Sequence, residues 1–435
     1  MGSQAAPRRR ATKGADAVAA QPAGRVHVTS EVGPLQAVIC HTPGPELMAV
    51  TPANREDFLY DDIIDLDLAR REHQRFTAIL SRFSEVYEVT DLLEQILDQP
   101  EVRTFLIEKV TDVAQSEPLA TLLSQWSARE LTSTFIEGLE NDSAGPLQQL
   151  LNVESYLLPP LPNLYFTRDA SMVVGEGIIV GSMRYTVRWT EEILMKALFR
   201  YHPLLANRGL VYDGSEERRA GYTVEGGDVH MLRPDLVIMG MSERSSPGAF
   251  DILAERLVKE QGIKDILCVV LPTDRAMIHL DMVWTMISKE HCVVSPPSFI
   301  GPTRFPVLHY HAGRKGMREM PNLFAALREV DLPLEPILCG GQRRTIQERE
   351  QWSSGCNFVA VRPGLLLGYS RNEYTYAELE REAGYRIVDG LEFLTGEASI
   401  EDDDRAVITF EGAELVRGGG GARCMTMPIR REDIW

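Results

Sequence analysis

Asp228-Val-His-Met-Leu-Arg-Pro-Asp-Leu-Val-Ile-Met-Gly240 reads as two short apolar strands joined by a turn at Arg233-Pro234-Asp235. The same phrase returns at Asn357-Phe-Val-Ala-Val-Arg-Pro-Gly-Leu-Leu-Leu-Gly368. A looser copy runs from Asp169 to Gly181-Ser-Met-Arg184. Polar residue and glycine stand 12, 11 and 12 residues apart (240 − 228, 368 − 357, 181 − 169).

Each hairpin is followed by a helix signal. Thr190-Glu191-Glu192 opens one helix, which Pro203 stops. Ser246-Pro247 supplies an N-cap with Pro at the first helical position, and Gly262 ends that helix before a strand at Ile266–Leu271. Thr375-Tyr-Ala-Glu378 reads as a capping box, with Gly384 before a strand at Tyr385–Val388. The unit is therefore strand–strand–helix–strand, repeated with drift from Thr167 onward. Repeats that cannot bury their faces alone must stack or close on themselves. A ring of them would bring equivalent strand ends to one axis. The fold class expected is α/β.

Residues 66–157 break this rhythm and read as helices throughout. Val102, Phe105, Leu106 and Val110 form one apolar stripe, and Leu119, Leu122, Leu123 and Trp126 another. Strand patterns flank the segment, so it is expected to be an all-helical insertion within a body spanning 26–435. Residues 1–25 are rich in Ala, Arg, Gly and Pro with almost no aliphatic bulk. They are expected to form a disordered tail, with Arg8–Arg10 a solvated charge run.

The chain has 435 residues and a formal charge of −18. The acidic balance argues against non-specific nucleic-acid binding, which needs a basic face, but leaves a cationic small substrate open. No uncharged apolar run approaches the roughly 18 residues that span a bilayer, so no membrane segment is expected. Six cysteines without a CxxC pair fit neither a zinc ribbon nor a disulfide scaffold. With no apolar leader at the start, a cytoplasmic protein with reduced thiols is expected.

The repeat puts a polar residue at the start of each inner strand: Asp169, Glu225 with Asp228, His279 with Asp281, Asn357, and Cys424. A lone Asp there is usually a turn former. A lone Cys is usually a small buried hydrophobe, the expectation for Cys40, Cys268, Cys292, Cys339 and Cys356. Joint placement at equivalent positions changes the reading. Carboxylates pair with a guanidinium through its fork of N–H donors, which would present its central carbon to a thiolate. His279 could then protonate departing ammonia and later deprotonate water. No metal is expected: a thiol beside a Gly-rich loop is wasted on one. The pair His309 and His311 suggests a metal even less, since nothing acidic or thiol-bearing lies close in sequence.

At these residues the chain resembles the arginine deiminase family of the guanidino-group-modifying superfamily. The motifs are Asn163-Leu-Tyr-Phe-Thr-Arg-Asp169, Glu225-Gly-Gly-Asp228, His279-Leu-Asp281 and Ala422-Arg-Cys-Met-Thr-Met-Pro428, with Leu59-Tyr-Asp-Asp-Ile63 and Arg349-Glu-Gln-Trp352 in support. The resemblance implies a five-fold pseudosymmetric α/β propeller with an inserted helical domain. It implies hydrolysis of L-arginine to L-citrulline and ammonia without cofactor. Cys424 would be the nucleophile forming an amidino-cysteine intermediate. His279 and Glu225 would be the acid/base pair, and Asp169 and Asp281 the guanidinium clamp. Arg188 and Arg244 match positions that hold the substrate α-carboxylate; Asn163, Phe166 and the Gly418 backbone match further contacts. Some members carry a gating arginine five residues before the nucleophile, where this chain has Gly419.

An amidinotransferase or a deiminase of a modified guanidino substrate would use the same groups. A non-enzymatic guanidine-binding protein would be expected to lack the thiol or the histidine. Neither the substrate's modification nor an oligomeric state, homo-oligomer included, is written in the sequence.

Overall fold

The turn at Pro234-Asp235 joins strand Val229–Arg233 to strand Leu236–Met241, which pair antiparallel. Ser246 stands before helix Pro247–Gln261 with Pro247 at its first position. Gly262 closes the helix in the left-handed conformation that a side chain disfavours. Strand Asp265–Val270 then returns parallel to Leu236–Met241. The sequence pattern and the backbone agree here element by element.

The computed structural model describes residues 25–435, apart from 116, 142–144, 152–155 and 217–220. The tail expectation thus falls outside the described residues except for Arg25, which bridges to Ala206 and pairs with Glu176.

Among the described residues, five sheets share the arrangement of an antiparallel hairpin followed by a parallel third strand, beside one two-stranded ribbon. The first holds Ser171–Val174, Gly177–Val180 and Leu210–Asp213, with helix Trp189–Tyr201 in the crossover. The second is the sheet above, extended by Val307–His311 and Met317–Met320. The third holds Trp284–Met286, His291–Val294 and Glu335–Leu338. The fourth holds Val359–Arg362, Leu365–Tyr369 and Ala406–Phe410. The fifth joins the two ends of the chain: Met427–Arg431 pairs antiparallel with Leu35–Cys40, and Glu85–Glu88 runs parallel to the latter.

Three expectations need correction. Residues 66–157 are not helical throughout, because Glu85–Glu88 is a strand of the fifth sheet and Leu139–Glu140 pairs with Tyr156–Leu158. Four half-exposed residues between helices carry no periodicity of their own. The capping box at Thr375 does not form. The helix begins earlier, as Glu373–Ala383. Thr375 instead donates its hydroxyl and backbone N–H to Glu350, at 2.6 and 2.7 Å. The strand expected at Tyr385–Val388 lies at Arg386–Asp389 on the sheet edge, with Ala406–Phe410 inserted between it and its hairpin.

The helices Val89–Leu97, Pro100–Ala114 and Ala128–Glu137 do not keep a core of their own. Their Leu93, Val102, Leu106 and Phe135 share one apolar cluster with Ile39, Ile178, Leu194 and Ile429. Side chains buried this fully contribute about 1.5–3 kcal/mol each. All six cysteines are buried and unbridged. No helix among the described residues is long and apolar enough to cross a membrane.

Ile429 sits in the last strand and is 2% exposed. Ile429→Ala should cost about 2–5 kcal/mol in urea denaturation. A change within about 0.5 kcal/mol would mean that the joined ends are not part of the cooperative unit.

Candidate active site

Asp169, Asp228, Asp281, Asn357 and Cys424 each fall just before the first strand of a different sheet. The chain can tighten there. Gly226–Asp228 and Leu280–Met282 are single 3-10 turns that lead into their strands.

Cys424 is 3% exposed. Asn357 positions it with both ends of its amide. Its Oδ1 accepts the backbone N–H groups of Arg423 and Cys424 at 2.9 and 3.2 Å, and its Nδ2 donates to Sγ at 3.1 Å. Asp281 Oδ2 lies 3.6 Å from Sγ and accepts from Arg423 Nη1 at 2.9 Å. Arg423 also forks onto Glu31 at 3.1 Å through both Nε and Nη2. Burial, then the charges of Asp281 and Asp169, push the Cys424 thiol well above its ordinary range. The resting sulfur is therefore a protonated thiol.

His279 meets Glu225, with Nε2 at 2.9 Å from Oε2, while its Nδ1 lies 3.7 Å from Asp169 Oδ1. Gly227 lets the backbone approach this ring: a Cβ there would stand 2.5 Å from it. Burial alone would lower the imidazole pKa, but Asp169 and the hydrogen bond to Glu225 outweigh it and raise it to about 9. Burial raises Glu225, and Arg244 and His279 more than reverse that. The pair is an imidazolium facing a carboxylate. Asp169, Glu225 and His279 place three metal-type ligand atoms within 4.8 Å of one another. A protonated imidazole has no lone pair to offer, so the set does not suit a metal.

Asp228 stands behind this pair. It accepts the Leu280 N–H at 2.9 Å and the Ser242 hydroxyl at 2.5 Å, pinning the His279-Leu280-Asp281 turn.

Cations converge from three segments. Arg188 donates to Asp169 Oδ2 from Nη1 at 2.8 Å and forks onto Glu191 through Nε and Nη2. Arg244 reaches Glu225 at 3.3 Å and lies over the Tyr185 ring. Arg275 is bonded to Asp61 at 2.9 Å and to the Leu59 carbonyl at 2.6 Å. Its Nη2 lies 2.9 Å from where a Cβ on Gly419 would stand. Leu59 itself takes a left-handed backbone, φ 68°, which a branched residue adopts only under constraint.

A narrow pocket results. Asn163, Phe166, Asp169, Arg188, Arg244, His279, Gly418 and Cys424 all line it. Glu225 and Asp281 are fully buried behind that lining. Asn163 donates to the Phe58 carbonyl at 2.8 Å. Gly418 packs so closely on Tyr165 that a Cβ would meet its hydroxyl at 2.0 Å. Asp169 Oδ1 and Asp281 Oδ1 are buried with no hydrogen-bond donor.

Sequence reasoning passed over Asn357 as a positioning residue, and over Arg275 and Arg423. Arg423 was visible as the neighbour of Cys424, and Arg275 as the basic residue four before His279. Neither carried a signal of direction, since a surface arginine looks the same in sequence.

The arginine deiminase family profile matches residues 56–431. The arginine deiminase of Bacillus cytotoxicus is 32% identical over 433 residues, covering 94% of this chain and 99% of that protein. That of Metamycoplasma arthritidis is 33% identical, covering 94% and 97%. Among solved structures, the amino-terminal domain of ArgZ, an arginine dihydrolase of cyanobacteria, is 14% identical with a TM-score of 0.51 over 91% of this chain and 97% of that one. SxtG, an amidinotransferase from Microseira wollei, is 12% identical with a TM-score of 0.50 over 94% and 98%. These two speak for the fold alone. The match over most of the length places the chain in the arginine deiminase family.

Proposed function

We propose that the protein hydrolyses L-arginine to L-citrulline and ammonia in this pocket. The observation that carries the reading is a pair of buried carboxylates, Asp281 beside the Cys424 thiol and Asp169 in the same pocket lining, each with an Oδ1 that has no hydrogen-bond donor. Leaving such atoms unpaired is costly, and a planar cation with five N–H donors is the ligand that satisfies both.

Asp169 holds Arg188 in the resting enzyme. The substrate guanidinium takes over that carboxylate, and Arg188 Nη1 turns to the substrate α-carboxylate beside Arg244. The incoming positive charge offsets the two carboxylates that, with burial, keep Cys424 protonated, so the thiol gives up its proton to solvent as the substrate binds. The thiolate adds to the guanidinium carbon. His279 hands its proton to one amino nitrogen, the C–N bond breaks, and ammonia leaves an amidino-cysteine. Neutral His279 then takes a proton from water, whose oxygen attacks the same carbon. The C–S bond breaks, releasing citrulline and the thiol form of Cys424. The steps use protein groups and water.

The five sheets of one pattern, with strand starts gathered at one pocket, support a five-fold pseudosymmetric propeller. The helical stretch within 66–157 is an insertion into it that shares its core. The pocket mouth is roofed by three segments, where Arg275 pairs with Asp61 and Arg417 with Asp62. Arg275 supplies the cation there that a gating arginine at Gly419 would have carried. A cytoplasmic location fits unbridged thiols throughout.

Cys424→Ser should abolish ammonia release from arginine. In His279→Ala protein the trapped amidino adduct should map to the peptide containing Cys424, and a label on Cys356 would refute the covalent role. Arg188→Lys and Arg244→Lys should weaken arginine by about 1–3 kcal/mol and agmatine, which has no carboxylate, much less. Equal losses would make both arginines structural.

The His279 imidazole should titrate near 9 in NMR of the free enzyme, and lower in Glu225→Gln. Because the folded pKa is raised, the stability from this charge is complete below about 6.5 and fades as pH rises through about 9. A midpoint near 6.5 in the wild type would remove His279 as the proton donor.

A further inference from the structure

Strand Val307–His311 carries histidines at 309 and 311, two residues apart and so on one face of the sheet. Strand Asp265–Val270 lies antiparallel to it, with Asp265 opposite His311 and Leu267 opposite His309. This register supplies what the order of the sequence did not show at this pair. The acid that was missing nearby arrives from more than 40 residues away, across the ladder.

We propose that Asp265, His309 and His311 form a binding site for a zinc-class divalent transition metal. Asp265 Oδ1 receives two imidazoles at once, His309 through Nε2 at 2.7 Å and His311 through Nδ1 at 2.6 Å. The rings stand at 71° to each other, and the three ligand atoms lie within 4.8 Å. A hairpin contact needs one such partner; two rings presenting different nitrogens to one point is the convergence a metal requires.

A further carboxylate sits behind the set. Glu329 Oε1 lies 3.6 Å from His309 Nδ1, the ring nitrogen facing away from Asp265, and is itself held by Arg318. A carboxylate behind the far nitrogen orients a ligating histidine and keeps its ligand nitrogen bare.

Two imidazoles and one carboxylate suit zinc, cobalt or nickel, whereas calcium and magnesium prefer all-oxygen sites. Metal–ligand bonds of about 2.0–2.2 Å separate tetrahedral ligand atoms by roughly 3.3 Å. The Asp265 side chain would therefore back away by well under an ångström. The protons now between rings and carboxylate move to the far nitrogens, toward Glu329 from His309 and toward solvent from His311. His309 is 4% exposed in its side chain, Asp265 14% and His311 35%, so the site is walled on one side and open to a water ligand on the other. A metal there would clip Asp265–Val270 to Val307–His311, the strand that leaves the second sheet's basic unit.

The test uses tag-free, full-length protein stripped with a chelator and titrated with Zn²⁺ in a calorimeter, with Co²⁺ as the spectroscopic probe. The expected result is stoichiometric uptake and a zinc-dependent rise in melting temperature. Zinc affinity should fall by at least about tenfold in both His311→Ala and Asp265→Asn. Cobalt should show visible d–d bands that these variants lose, without a thiolate charge-transfer band belonging to them. No stoichiometric uptake by the wild type, or uptake and cobalt bands unchanged in both variants, overturns the site.

Discussion

The constraint on which the rest of this structure depends is the burial of carboxylates around one pocket. Asp169, Glu225 and Asp281 are all nearly inaccessible to water. Each is held by its own buried cation: Arg188 for Asp169, Arg244 and His279 for Glu225, and Arg423 for Asp281. All three arginines are also paired with a second acid, Arg188 with Glu191, Arg244 with Glu243 and Arg423 with Glu31. Charge removed from water is tolerable only when paired and hydrogen-bonded this fully. Arg188 and Arg244 pair within their own units, but His279 with Glu225 and Arg423 with Asp281 join different sheets, so those charges are satisfied only when the sheets assemble.

That balance leaves a deficit of donors at one place. Asp169 and Asp281 each keep one oxygen without a hydrogen-bond donor, and the Cys424 thiol lies against Asp281. Burial and an anionic wall hold the thiol protonated, and in the proposed mechanism an arriving cation is what ties activation of the thiol to occupancy of the pocket. A neutral guest would leave both the oxygens and the thiol as they are. Selectivity and activation are thus two consequences of one arrangement of charge.

The mouth follows a different logic, that of close backbone packing. Gly418 lies against Tyr165 and Gly420 against Phe166, so this strip of chain acts as a wall built from main chain. Side chains from elsewhere do the reaching: Arg275 from the segment before His279, and Leu59 from a strained turn far earlier in the chain. Gly419 is therefore met by a guanidinium entering from a neighbouring segment.

Local chemistry was legible in the sequence wherever it was encoded by neighbours. The hairpin at Arg233-Pro234-Asp235, the Ser246-Pro247 helix start and the Gly262 and Gly384 stops depend on residues within a few positions, so reading order suffices. The same holds for the polar residue at each strand start, because a repeat preserves it. Contacts between distant segments were not legible. The fifth sheet is made from the two ends of the chain, and Glu85–Glu88 has no pattern until Leu35–Cys40 lies beside it. Thr375 offers the same hydroxyl to a cap or to Glu350, and only packing chooses Glu350. Arg188 on Asp169, Arg423 on Asp281 and Asp265 between two histidines are likewise choices of partner. A charge in sequence names its sign but not its neighbour: the sequence by itself determined which groups were present and in what local geometry, and the tertiary structure decided which of them meet, because Coulomb and hydrogen-bond energies depend on distances that chain order does not contain.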